Sequence, residues 1–180
     1  MASSPPADSV DRELTTWLEQ MTDVTPQVEA ARQRIGRLAR LFNRTLEHVA
    51  ADHNLSVGDW EALSVIVRAG GTCTPTELGR ALRLTSGTVS TRLNRLLAAG
   101  LVQLATNPDG RSRPVLVTDD GRDRWKAATA ARTRRESELF EALSPRDRDT
   151  LNDILRTLLA TYEHALGEAP RHDAAVESRH

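Results

Sequence analysis

Small or polar residues recur in one stretch of the 180-residue chain at the spacing of a helix face: Ser86, Gly87, Thr88, Thr91, Asn94 and Arg95. If Val89, Leu93 and Leu96 face a core, helical geometry puts this set on the opposite side. Hydroxyl, amide and guanidinium groups hydrogen-bond to base edges and phosphates, and small side chains let a helix approach the bases closely. A solvated helix face has a similar composition, so the segment that follows carries weight. There, Leu101-Val102-Gln103-Leu104 and Pro114-Val115-Leu116-Val117 flank Asn107-Pro108-Asp109-Gly110, with Arg111 and Arg113 at the tip. Two apolar runs around a Pro, Asp and Gly turn predict a two-stranded β-hairpin.

Three further residues have types suited to an anionic ligand. Arg92 comes three residues after Val89 and one before Leu93, so it leans toward the core edge and could hold an anion from behind the helix. Asp59 closes Ser56-Val57-Gly58-Asp59, and Trp17 sits on an amphipathic segment near the N-terminus. Each also has a purely structural reading. Asp59 can be the N3 residue of a capping box, Trp17 a packing anchor, and Arg92 a phosphate contact. Cys73 precedes a helix N-terminus, where the dipole could lower its pKa and make it a redox sensor; a small buried residue is the other reading. His48, His53 and His164 lack metal-ligand spacing. No nucleophile elbow, phosphate loop, metal box or dinucleotide fingerprint occurs, so neither an enzyme, a metal site nor a cofactor is expected.

The elements that must position these residues follow from periodicity and caps. Residues 1–7, with Pro5 and Pro6, read as a disordered start. Val10, Leu14, Trp17, Leu18 and Met21 place a helix over residues 8–22. Thr25-Pro26 opens a helix to residue 54 with a seam at Val28, Ala31, Ile35, Leu38, Phe42 and Val49, which should pack on another helix. Arginines 32, 34, 37, 40 and 44 on it are expected to be mostly solvated. Residues 55–118 then hold a helix ending at Gly70-Gly71, a short helix capped by Thr74-Pro75-Thr76-Glu77, a turn at Leu84-Thr85, a helix from Ser86 to Gly100, and the hairpin. This order is a winged helix-turn-helix. Residues 119–166 are helical again, with a stripe at Leu151, Ile154, Leu155, Leu158, Leu159, Tyr162 and Leu166, and residues 167–180 read as a disordered tail. The fold expected is mainly α, with a helical dimerisation lobe built from both chain ends around the winged lobe.

Charge supports the same division. The chain carries 24 basic and 25 acidic residues, a formal net charge of −1 that by itself argues against nucleic acid. Residues 74–118, however, hold six arginines (80, 83, 92, 95, 111, 113) against Glu77 and Asp109, while residues 1–31 hold six acids against Arg12. A basic middle is what phosphate binding requires. A single cysteine excludes an intramolecular disulfide, no apolar run approaches the ~18 residues that span a bilayer, and no secretory signal opens the chain. A cytoplasmic protein is expected, without a membrane partner.

From about Val28 to Leu166 the sequence resembles the MarR family of transcriptional regulators. The most specific part is the hairpin, Asp109-Gly110-Arg111-Ser112-Arg113-Pro114-Val115-Leu116-Val117-Thr118-Asp119-Asp120-Gly121, which fits the family's D-x-R … L-x-T-x-x-G pattern; Gly100-Leu101-Val102 and Ser86-Gly87-Thr88-Val89-Ser90 match as well. The resemblance implies a homodimer that binds a pseudo-palindromic double-stranded DNA operator and represses nearby genes, with Arg111 in the minor groove and Asp109 orienting the wing. It extends to a urate-responsive branch whose extra N-terminal helix, aspartate and recognition-helix arginine match Trp17, Asp59 and Arg92. By that likeness, an anionic purine would contact Trp17 and Arg92, repel Asp59 and weaken DNA binding. The branch usually has arginine shortly after Gly-Leu-Val, where this chain has Gln103-Leu104-Ala105. Another small anion, a polycarboxylate or a phenolic compound, therefore stays open as the effector, as do oxidation of Cys73 and DNA binding without a ligand.

Overall fold

A computed structural model of the chain describes residues 6–21, 23–105 and 113–167. The predicted disordered ends, but for residues 6, 7 and 167, and most of the hairpin tip, Arg111 included, lie outside the described residues. Residues 1–45 and 46–180 form two compact units.

In the first unit, α1 (Ser9–Glu19) starts on a capping box, in which Asp8 accepts the backbone N–H groups of Val10 and Asp11. The helix is shorter than the periodicity implied, because Gln20 already caps it. Helix α2 (Pro26–Asp52) begins here. Val10 is almost fully buried, and ion pairs join α1 to α2: Arg34 with Asp8 and Asp11, Arg37 with Glu13. Arg32 pairs with Glu29 on its own helix. Three of the five arginines expected to be solvated are thus committed to carboxylates, Arg34 and Arg37 because α1 places its acids within their reach and Arg32 within α2 itself. The seam on α2 is not covered within the chain: Val28, Ile35 and Leu38 are exposed.

The second unit is built on α3 (Val57–Arg68), whose Ala62, Leu63 and Ile66 are fully excluded from solvent. Helices α4 (Pro75–Leu82) and α5 (Ser86–Ala98) pack on it through Leu78, Val89, Leu93 and Leu96. Burying each such side chain contributes roughly 1.5–3 kcal/mol. Between α4 and α5, Arg83 takes a left-handed conformation at φ 51° and turns the chain.

The predicted two-stranded hairpin is part of a three-stranded antiparallel sheet. Strand β1 (Thr72–Cys73) pairs with β3 (Val115–Val117), which pairs with β2 (Val102–Leu104). Two residues are too few to show strand alternation in a sequence, and β1 exists only because β3 supplies its partners.

Helix α6 (Asp119–Phe140) packs on α3 and is fixed there by a set of polar contacts. The Trp60 indole N–H donates to Thr129 Oγ1 at 3.0 Å, and the Trp125 N–H donates to Ser64 Oγ at 2.8 Å. Ser64 in turn donates to the Trp60 carbonyl, and the Arg132 guanidinium lies 4.7 Å from the Trp60 ring centroid. Near its start, Gly121 passes so close to Leu101 that an added Cβ would fall 2.0 Å from the Leu101 carbonyl oxygen. Helix α7 (Pro145–Leu166) buries no residue at all. Its apolar stripe, Ile154, Leu155, Leu158, Leu159, Tyr162 and Leu166, is exposed.

The two glycines should respond oppositely to a methyl group. Gly121→Ala forces backbone apart and is expected to cost ~3 kcal/mol or more in urea unfolding. Gly87→Ala meets nothing within 4 Å and should be neutral or stabilising by up to about 1 kcal/mol.

Candidate nucleic-acid interface

The two helices that would address DNA are each started by their own side chains. In α4, Thr74 accepts the Glu77 backbone N–H while Glu77 accepts both the N–H and the hydroxyl of Thr74. Those bonds hold the Glu77 carboxyl below the usual range, the Thr74 N–H contributing most. In α5, Thr85 caps the helix by accepting the Thr88 N–H. With Val89, Leu93 and Leu96 buried beneath, Ser86, Gly87, Thr88, Thr91 and Asn94 are exposed on the outer side. Two of those hydroxyls already have partners: Thr91 donates to the Gly87 carbonyl at 3.0 Å, and Thr88 shares a hydrogen bond with Thr85.

Arg95 does not stand free on that face. Its Nε donates to Asp59 Oδ1 at 2.8 Å and its Nη2 to Ser56 Oγ at 2.8 Å. Arg92 lies toward the core edge, as its position implied, and its side chain is only 19% exposed. It meets Glu61 at 3.1 Å and the Gly58 carbonyl at 3.3 Å. Of the three residues considered for an anionic ligand, Asp59 and Arg92 both lie where α5 meets the first turn of α3, but they are not paired with each other. Asp59 is the N3 member of a complete capping box, as the structural reading of Ser56-Val57-Gly58-Asp59 anticipated.

Trp17 belongs to the first unit. On the neighbouring helix, Arg32 and Gln33 hold the Glu29 carboxylate and, with Arg32 foremost, lower its pKa to about 2. Trp17 remains 43% exposed beside an open cleft that Arg12, Gln20 and Gln33 also line.

The wing contributes Arg113, exposed just before β3. Beside Ser86, three residues that the sequence reading did not single out for the interface join the same surface: Thr76, Arg80 and Ser90. Thr76 and Arg80 of α4 face Ser86 and Ser90 of α5 across an open groove of about 360 Å³. The spacing of each pair, one helical turn, was the available signal; nothing in it says that the two pairs share a groove.

Cys73 overturns its sensor reading. It is 2% exposed, and burial, followed by the nearby Glu77 carboxylate, pushes its thiol up to about 11. The cost of a thiolate in the core exceeds what the helix terminus offers. Among the described residues, no three His, Cys, Asp or Glu side chains are grouped to hold a metal, and no helix is long and apolar enough to cross a membrane.

Comparison with known proteins places this geometry in context. Residues 53–112 match the MarR family model. An uncharacterized protein of Mycobacterium tuberculosis, Rv2011c, is 32% identical over 123 residues, covering 68% of this chain and 85% of its own. The HTH-type transcriptional regulator PecS of Dickeya dadantii is 23% identical over 142 residues, 77% of this chain and 86% of PecS. Among solved structures, the MarR family transcription regulator SP03579 superposes with a TM-score of 0.68 at 23% identity, over 90% of this chain and all of that one.

The buried thiol has a direct check. At neutral pH, iodoacetamide should leave Cys73 unmodified in the folded protein and label it rapidly in urea, as read by intact mass.

Proposed function

The chain belongs to the MarR family of transcriptional regulators, and on that premise we propose that it binds a pseudo-palindromic DNA operator as a homodimer, represses transcription, and is released by a small anion. Regulators of this kind act by binding DNA and not by catalysis. The observation that carries the DNA-binding half is the two-sided recognition helix. Val89, Leu93 and Leu96 are sealed on one side, while Ser86, Gly87, Thr88, Thr91 and Asn94 stand open on the other, behind a capped first helix and ahead of a hairpin. Helix α5 would enter the major groove, with Arg113 and Arg111 of the wing on the flanking backbone or minor groove. Arg80 would add a phosphate contact from α4.

The homodimer is supported by apolar area with no cover in the single chain. An unburied α7 with Leu155, Leu158 and Leu159 on one stripe, and the open seam on α2, are the faces a second copy would bury. Two recognition helices would then address half-sites about one helical turn apart.

For the effector, the proposal names urate or a related anion, with Trp17, Asp59 and Arg92 as the responding residues. Arg92 offers a guanidinium held by Glu61 and the Gly58 carbonyl, one turn from the Arg95–Asp59 pair, so a bound anion would disturb the charge balance at the flank of α5. A hundredfold loss of operator affinity needs only ~2.7 kcal/mol of coupling. Leu104, exposed on β2, stands where an arginine would have helped hold the anion, which favours testing polycarboxylates alongside purines.

Two measurements test this. A labelled duplex from the DNA upstream of the gene should bind with steep salt dependence, and Arg111→Ala or Arg113→Ala should each weaken it by ~1–3 kcal/mol. Light scattering should report a dimer that Leu158→Glu dissociates; a wild-type monomer or unaltered binding in the wing variants removes that part of the proposal. Separately, urate or a small polycarboxylate should quench tryptophan emission and release the duplex from wild type, but not from Trp17→Phe or Arg92→Ala. No response to any such anion ends the effector proposal and leaves the regulator standing.

A further inference from the structure

We propose that Arg95 is a positioning residue: with Asp59 it forms a clasp that sets the roll of the recognition helix on α3, and it does not read DNA. The functional half of this inference rests on the DNA-binding proposal above.

The fully buried side chains of α5 are Val89, Leu93 and Leu96, with Leu97 packed at the edge of the same core. Apolar contact of that kind is non-directional and fixes depth better than rotation about the helix axis. Directional bonds come instead from one flank. Arg95 reaches the first turn of α3, where its Nη2 comes within 2.6 Å of Asp59 Oδ1 and its Nε donates to the same oxygen at 2.8 Å. Asp59 Oδ2 meanwhile accepts the Ser56 backbone N–H at 2.9 Å and the Ser56 hydroxyl at 2.7 Å. The Ser56 oxygen closes the ring by accepting Arg95 Nη2. The Asp59 side chain is 8% exposed and that of Arg95 52%, so a sheltered carboxylate anchors an accessible cation.

One turn earlier, Arg92 repeats the attachment on Gly58 and Glu61. It crosses so tightly that a Cβ on Gly58 would lie 2.8 Å from the Arg92 Cζ. Two arginines therefore tie the same flank of α5 to residues 56–61. That turn follows α2 after a short link, in which the Leu55 N–H bonds the Ala50 carbonyl at 2.8 Å and Asn54 is left-handed at φ 55°. The recognition helix is thus fastened to the end of α2.

A guanidinium that reads guanine presents two N–H donors in parallel to O6 and N7. In Arg95 the Nε and Nη2 donors of one edge are already spent, and a switch to DNA would leave the Asp59 carboxylate buried without its cation. This separates the two roles in experiment. A phosphate contact lowers the slope of log affinity against log salt by about one when removed, and a base contact relaxes preference at one position; a positioning pair does neither.

The test uses a duplex that the wild-type protein selects from random DNA, titrated across salt with Arg95→Ala, Asp59→Asn, the double variant, Arg95→Lys, and Arg113→Ala as the phosphate-contact control. Asp59→Asn keeps an oxygen acceptor for Ser56 while removing the charge. The expected result is a similar five- to tenfold loss for the two single variants, no further loss in the double, partial recovery with lysine, and an unchanged salt slope. In the free protein, amides of residues 86–98 should exchange faster in both single variants. A slope lower by one in Arg95→Ala, relaxed preference at a single base, multiplying losses, or unaltered exchange would overturn the clasp. If wild type selects no DNA, the regulator proposal fails, while hydrogen exchange still decides whether Asp59 and Arg95 hold the helix.

Discussion

Everything in the second unit that could touch nucleic acid is positioned against one apolar helix. With Ala62, Leu63 and Ile66 closed to solvent, α3 is the surface on which α4, α5, the sheet and α6 all settle. Because α5 must give Val89, Leu93 and Leu96 to that surface, 3.6-residue periodicity leaves its outer side to Ser86, Thr88, Thr91 and Asn94. The exposed chemistry of the recognition helix is a consequence of where its apolar residues are buried. Removing core volume from α3 would therefore disturb the interface without touching a single interface residue.

Directionality comes from polar groups at the margins of that core. On one side, Trp60, Thr129, Ser64 and Trp125 complete one another's hydrogen bonds between α3 and α6. On the other, Asp59 and Glu61 receive Arg95 and Arg92 from α5. Both sets spring from the same helix, one turn apart in places, so α3 is both the apolar support and the reference frame for orientation. Buried indole and carboxylate groups left unmatched would be costly, which gives these arrangements a narrow range of acceptable geometries.

Charge is spent locally before it can act at a distance. The acidic residues near the N-terminus are largely consumed in place, Asp8 and Asp11 by Arg34 and Glu13 by Arg37. Asp8 in consequence sits far below the ordinary carboxylate range, Arg34 being the main cause. The near-zero net charge of the chain thus hides an internally neutralised first unit and an arginine-bearing winged lobe. With a Debye length of about 8 Å at physiological salt, charge acts locally, so its distribution matters more than the sum.

Much of the architecture was legible in the sequence because it is encoded by local rules: capping boxes at Ser56 and Thr74, proline at the first turn of α4 and α7, and apolar spacing along α5. Those rules act between residues a few positions apart, so the helices and the open face of α5 could be placed without coordinates. What could not be placed was every interaction whose partner lies far along the chain. Strand β1 exists only against β3; Cys73 is shielded from solvent by packing that its position before a helix does not reveal; Arg34 is paired because α1 folds back on α2. Arg95 faces outward by its helical position, and its pairing with Asp59, 36 residues away in sequence, is set by the fold that brings the two together. Local sequence determines which residues share a helix face; only the tertiary structure decides which of them have already found a partner, since electrostatic and packing energies depend on distance in space and not on separation along the chain.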